Sequence, residues 1–192
     1  MTTKDSNKAA PDDQARGFPP VCTGSDLVLI LGSFPGRSSL EKREYYGHRT
    51  NGFWPIMGQL LGFDPRISYP ERLQRLKINR VALWDVLTSC SRSGSLDSSI
   101  ERDSMVVNDF KDFFEKNKFI HTILFNGSLA EAEFNRKVLK YTPLQARKMA
   151  MYRLPSTSPA MAMLNLAQKT DAWSILVDLL QDKPENKDMK EN

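Results

Sequence analysis

Four short runs of nearly unbroken apolar residues, at 26–33, 79–86, 120–126 and 148–154, constrain this chain more than any other feature. Each has the length of a strand. Hydrophobicity that is continuous rather than alternating predicts burial on both faces. Helical patterns fall between the runs. Phe53 to Leu61 reads as a helix stopped by Gly62. Val106 to Asn117 repeats apolar residues at Val106, Val107, Phe110, Phe113 and Phe114. Ser128, with Glu131 three residues on, predicts a capping box at the start of a helix through Lys140. A last helix runs from Met161 or Asn165 to Leu180. Strand and helix alternating in this way predict right-handed crossovers. The expected fold is α/β, a three-layer α/β/α sandwich around a central, mostly parallel four-stranded sheet.

In such a fold, ligands bind beyond the carboxyl ends of the strands. The loops after Leu31, Val86, Asn126 and Leu154 all lie on that edge. They are the chemically informative parts of the chain. Gly32 to Ser39 is a loop of small residues whose N–H groups suit an anion. It lacks the Lys of a P-loop and the spaced glycines of a dinucleotide fingerprint; a tight strand-to-helix turn is the plainer reading. Tyr45 to Trp54 is polar and aromatic, which suits a grip on something flat. Leu154 to Ala160 repeats the plan of strand followed by a Pro/Ser loop. Asp85 closes the second strand, either as a loop cap or as a site residue. The segment Ser91 to Ser99, with Arg92 and Asp97, is a polar loop on the same edge. Arg37, Arg49, Arg92 and Arg153 fall in or beside these loops and suit phosphate contacts.

Composition closes off other classes. The chain has 192 residues, 40% hydrophobic and 26% charged, enough for one well-filled domain. No apolar run approaches the ~20 residues of a membrane span. Residues 1–20 are polar and proline-containing and are expected to be a disordered N-terminal tail. Residues 183–192 are charged and are expected to be a disordered C-terminal tail, leaving a single domain over 21–182. The only cysteines are Cys22 and Cys90 and the only histidines His48 and His121, so neither a metal nor another cofactor is expected. The net charge of +4 sits in the middle of the chain and permits a polyanionic partner.

Taken together, these segments resemble the uracil-DNA glycosylase superfamily, and within it the hypoxanthine (deoxyinosine) DNA glycosylase branch. The resemblance is carried, in family order, by Leu29-Ile-Leu-Gly-Ser-Phe-Pro-Gly36, Tyr45-Tyr-Gly-His-Arg-Thr-Asn-Gly-Phe-Trp54, Ala82-Leu-Trp-Asp-Val-Leu87, Gly94-Ser-Leu-Asp-Ser-Ser-Ile100, Ile123-Leu-Phe-Asn-Gly127 and Leu154-Pro-Ser-Thr-Ser-Pro-Ala160. It implies a monofunctional glycosylase that flips a deaminated base, hypoxanthine and secondarily uracil, out of DNA. Hydrolysis of the N-glycosyl bond then leaves an abasic site. Asn51 and His48 become the catalytic candidates. Ser33, Phe34, Tyr46, Gly47, Phe53 and Asp85 become candidates for holding the base, with Phe53, Phe34 or Tyr46 supplying the stacking ring. Pro35, Gly36, Arg37, Arg49, Pro155, Ser156, Thr157, Ser158, Pro159 and Met161 become candidates for the DNA surface, with Met161 as the wedge. A monomer acting on DNA in the nucleoid or nucleus is expected, with no membrane partner. Two positions depart from the superfamily's pattern. Phe34 stands where related enzymes place a water-holding Asn, and Leu154 where many place a His or Asn that steadies the leaving base. Those departures keep open a catalytically weak member that only binds DNA or bases. An unrelated flavodoxin-like nucleotide-binding domain is the third reading.

Overall fold

The structure, a computed structural model, describes residues 15–91, 102–139 and 149–181. Its centre is a four-stranded sheet of β2 (Val28–Gly32), β3 (Val81–Asp85), β6 (Thr122–Asn126) and β7 (Ala150–Leu154), in the order β3-β2-β6-β7. Every neighbouring pair is parallel, and Gly32 lies opposite Asp85 in the register. The first three of these strands are buried along their whole length, as their unbroken apolar sequences require. β7 departs from the expectation of burial on both faces. It is one of the two edge strands, and Tyr152 and Arg153 are exposed while Leu154 is buried.

Alternate residues of the sheet feed two cores. Leu29, Leu31, Ala82, Trp84, Ile123 and Phe125 pack on one face with the phenylalanines of α4 (Phe110–Lys116) and with Ala130 of α5 (Ser128–Glu133). Val28, Ile30, Val81, Leu83 and Leu124 pack on the other face. There they meet α2 (Phe53–Leu61), α3 (Tyr69–Ile78), α6 (Leu166–Trp173) and α7 (Ile175–Gln181). The arrangement is the expected α/β/α sandwich.

α2 ends at Gly62, which adopts φ 70° and closes the helix through its N–H to the Gly58 carbonyl, a stop that glycine makes without a side-chain clash. Three details differ from the sequence reading. Ser128 does not cap α5; it is already helical, and Gly127 at φ 101° is the cap. The turn is too tight for a side chain at 127, because a Cβ there would lie 3.0 Å from Ser156 Cβ. The helix then widens into a π turn over Phe134–Val138; Lys140, its expected end, lies outside the described residues. The stretch from Val106 is not one helix. Val106–Val107 forms β5, and α4 starts after Asp109, whose carboxylate accepts the Asp112 N–H. The last helical stretch breaks into α6 and α7, and α6 opens with a capping box between Asn165 and Gln168.

Residues 15–20, which the sequence reading assigns to the tail, are structured. β1 (Ala15–Arg16) pairs with β4 (Leu87–Cys90), which pairs with β5, giving a small antiparallel sheet beside the main one. The Phe18 carbonyl accepts from Trp84 Nε1. No helix among the described residues is long and apolar enough to cross a membrane.

Candidate active site

The carboxyl ends of β2, β3, β6 and β7 open into a cavity of about 660 Å³. The loop after β2 supplies Ser33, Phe34, Pro35, Gly36 and Arg37, the segment before α2 supplies Tyr45, Tyr46, His48 and Asn51, and Asp85 and Asn126 come from the strand ends. Ser156, Thr157, Ser158, Pro159, Ala160 and Met161 complete the wall. Segments more than 100 residues apart in sequence therefore meet at one rim, as parallel topology allows.

The segment from Tyr45 to Phe53 is shaped by one left-handed residue. Tyr46 sits at φ 54°, a conformation that costs a non-glycine residue roughly 1–2 kcal/mol. The turn lays the Tyr46 ring flat on Phe53, with centroids 4.0 Å apart and an interplanar angle of 22°. Phe53 itself is fully buried and does not line the cavity. It is the support beneath Tyr46, whose ring lines the cavity. Gly47 is also buried away from the lining. Its N–H donates to Ser39 Oγ, and a Cβ would come within 3.3 Å of backbone at Ser38, Ser39 and Glu44. Arg49 is exposed and does not line the cavity, whereas Arg37, also exposed, does.

Two side chains of this arm have defined orientations. Asn51 Oδ1 accepts the Phe53 N–H at 3.0 Å. Only the amide oxygen can accept from an N–H, so the orientation of Asn51 is settled and its Nδ2 group points the other way. His48 is exposed; its Nδ1 accepts the Thr50 N–H at 3.3 Å, which places the ring proton on Nε2.

The Pro/Ser loop is held differently. Thr157 donates its N–H to Asn126 Oδ1 at 2.8 Å and accepts from Asn126 Nδ2 at its hydroxyl at 3.0 Å. The Thr157 carbonyl accepts the Gly52 N–H, the Pro155 carbonyl accepts Trp173 Nε1, and the Ser158 carbonyl accepts Lys169 Nζ. Pro155 is half-buried and lies outside the lining, while Met161 is half-buried in the wall. Asn126, buried and central, was overlooked as a site residue. Its place just before Gly127 at the end of a strand, like that of Asp85, was the signal. Tyr45 was overlooked as well; it lines the cavity at 2% exposure. Burial pushes its phenol well up, and the Asp85 charge adds to the rise.

Leu154 is buried in the core below the sheet and lies outside the lining. Phe34 lies in the lining and packs on the opposite core. Arg153 is bound to Glu131 at 3.1 Å. Arg92 and the Gly94–Ile100 motif lie outside the described residues.

Comparison with known proteins places this arrangement. No protein-family model matches the chain. A solution NMR structure of a candidate uracil DNA glycosylase from Methanosarcina acetivorans superposes with a TM-score of 0.71 at 33% identity, covering 86% of this chain and 98% of that one. The fold is that of the uracil-DNA glycosylase superfamily. A hypoxanthine DNA glycosylase from Methanosarcina barkeri is 40% identical over 113 residues, 58% of this chain and 70% of the relative. Another, from Methanosarcina acetivorans, is 39% identical over 130 residues, 67% of this chain and 76% of the relative. The chain belongs to the hypoxanthine DNA glycosylase family, and its activity is that of a DNA glycosylase, a hydrolase of N-glycosyl bonds.

Proposed function

We propose that the protein flips a deaminated base out of DNA, hypoxanthine first and uracil second, and hydrolyses its N-glycosyl bond to leave an abasic site. The observation that carries this reading is the pairing, in one cavity, of the Tyr46 ring backed by Phe53 with the oriented amide of Asn51. A flipped base needs a flat face to replace its lost stacking and polar groups for its edges.

The bond breaks through a sugar with oxocarbenium character while negative charge collects on the departing base. Donors fixed before the reaction stabilise that charge without reorganising, and each is worth roughly 3–4 kcal/mol. Asn51 Nδ2, His48 Nε2–H and the N–H groups around Ser33 are the donors on this rim. Asn51 Oδ1 keeps a second lone pair beyond its bond to Phe53, which suits a water aimed at C1′. Phe34 has no polar group for that water, so the duty falls to Asn51. Leu154 is buried in the core, so the duty of steadying the leaving base falls to the donors just named. On this reading the protein works as a monomer wherever the cell keeps its DNA. The DNA surface would be the loops 33–37 and 155–161, with Arg37 and Arg49 beside the backbone.

End-labelled duplexes carrying inosine, uracil or only normal bases, treated with alkali after incubation, test the reading. We expect strand breaks at inosine, fewer at uracil and none at normal bases. Asn51→Ala should slow the inosine reaction at least ~100-fold. Phe34 and Leu154 together motivate the second reading, a binding module. Salt-sensitive affinity for the same duplexes without any breakage would establish that reading instead.

A further inference from the structure

Left-handed backbone costs a non-glycine residue energy and persists only where its surroundings over-determine it. Three such residues occur among those described, Arg43 at φ 55°, Tyr46 at φ 54° and Arg80 at φ 58°. The first two bracket a single dipeptide, Glu44-Tyr45, at the foot of the arm that carries Tyr46. Whatever fixes that dipeptide therefore fixes where the Tyr46 ring goes.

Glu44 and Tyr45 are gripped from outside the cavity. The Tyr45 N–H donates to the Tyr69 hydroxyl at 3.0 Å, and the Tyr45 carbonyl accepts from Trp54 Nε1 at 2.8 Å. The two rings that make these bonds meet edge to face, with centroids 6.0 Å apart. One guanidinium lies against both. Arg72 Cζ is 4.9 Å from the centroid of Trp54 and 5.4 Å from that of Tyr69. Arg72 Nη2 also donates to Glu44 Oε2 at 3.3 Å. Arg72 is thus joined to Glu44 directly and to each backbone group of Tyr45 through one ring. Its Nε is buried without a hydrogen-bond partner among the described residues, so on that side the ring faces stand in for water. A planar cation suits this place because it stacks and donates at once. Tyr69 and Arg72 stand at i and i+3 on α3, whose start is fixed by the capping box between Ser68 and Glu71. Glu44, Trp54, Tyr69 and Arg72 all lie outside the cavity lining.

We infer that Arg72 is a positioning residue for the reaction. From behind the arm it clasps Trp54, Tyr69 and Glu44, so that Tyr45 is held by both backbone groups and the Tyr46 ring is set where the flipped base stacks. This rests on the base-flipping reading above. A group displaced by about 1 Å costs up to about 100-fold in rate. The loops 33–37 and 155–161, which would meet the DNA backbone, do not hang from this clasp. Arg72 therefore acts on the excision step and not on the hold on DNA.

The experiment uses the full chain and three readouts. They are single-turnover excision from duplexes carrying inosine, affinity for a duplex carrying a tetrahydrofuran abasic analogue, and hydrogen exchange at the Tyr45 amide and the Trp54 indole. We expect Arg72→Met to slow excision about 10-fold or more, with affinity for the abasic duplex unchanged and both N–H groups exchanging faster. Arg72→Lys keeps the charge without the plane and should not restore the rate. Tyr69→Phe keeps the ring against Arg72 and removes the acceptor of the Tyr45 N–H. It should slow excision too, and it carries the test if Arg72→Met does not fold. In a Tyr46→Ala background, Arg72→Met should change excision by less than about twofold, because the ring it positions is gone, whereas independent effects would multiply. Four results overturn the assignment while leaving the glycosylase reading intact: wild-type excision by folded Arg72→Met, full excision by Arg72→Lys, a loss of abasic-duplex affinity as large as the loss of rate, or effects that multiply with Tyr46→Ala. Inosine left intact by the wild type overturns the glycosylase reading. Exchange then judges the clasp by itself: faster exchange in Arg72→Met supports it, and equal exchange overturns it as well.

Discussion

The loop Pro155–Met161 and the arm Tyr45–Asn51 wall the same cavity and differ in what backs them. The loop is held by its backbone. Thr157 N–H, Thr157 O, Pro155 O and Ser158 O each have a partner, drawn from Asn126, Gly52, Trp173 and Lys169. The arm has backbone bonds too, from Tyr45 N–H to the Tyr69 hydroxyl and from Gly47 N–H to Ser39 Oγ, but it adds stacked rings. Tyr45 is buried, Tyr46 lies on Phe53, and Trp54 Nε1 donates to the Tyr45 carbonyl, while His48, Arg49 and Thr50 project outward. The difference assigns work. A surface with its carbonyls turned inward offers little negative charge to a phosphate and keeps its shape. A surface hung from rings offers side chains in defined places and depends on the core beneath.

The comparison breaks most clearly at Phe53. Phe53→Ala should cost about 3–5 kcal/mol, because it empties a fully buried site and removes the support of Tyr46. Urea melts measure the loss, and excision should fall further than the lost folded fraction explains. The matching change on the other wall is Asn126→Ala. It should cost roughly 2–3 kcal/mol, leaving the buried Thr157 N–H without its acceptor. Protease cleavage within 155–161 should rise in the same variant. A cost well under 1 kcal/mol would mean the loop is not held by its backbone. Gly47→Ala sharpens the contrast at about 1–2 kcal/mol, since the new methyl meets three backbone atoms at 3.3 Å. Its effect should appear in excision, with the loop's protease resistance unchanged.

The smallest effect concerns Lys169. Burial lowers its ammonium from the ordinary value of 10.5, so the unfolded chain holds that proton more tightly. Stability from this group rises as pH climbs from the lowered value toward 10.5 and is flat below that window. Lys169→Met should remove that rise, read as melting temperature against pH between 8 and about 11.

The strands β2, β3 and β6 and the helix α2 were legible because their signals are local: unbroken apolar runs, and Gly62 where the helix must stop. β7 misled for the same reason. Its apolar residues are read one at a time, but its place at the edge follows from the order of the other strands. The Pro/Ser loop was read from its place after the last strand, and Asn51 became a catalytic candidate through the motif resemblance, not through periodicity. That Tyr46 lines the cavity while Phe53 is buried beneath it was not legible. It depends on one left-handed residue, and nothing in Tyr-Tyr-Gly announces which ring will turn outward. The break at Val106 was hidden because two valines satisfy a helical pattern as readily as the strand beside β4.

The order of the strands also governs when the molecule becomes competent. Asn126 closes on Thr157, and Pro155 is fastened by Trp173, so one wall is completed by polypeptide translated well after the other. A ribosome-bound nascent chain arrested before residue 150 would carry Asn51, Tyr46 and Asp85 but no opposing wall. Such a chain should leave DNA uncut until synthesis has passed Trp173.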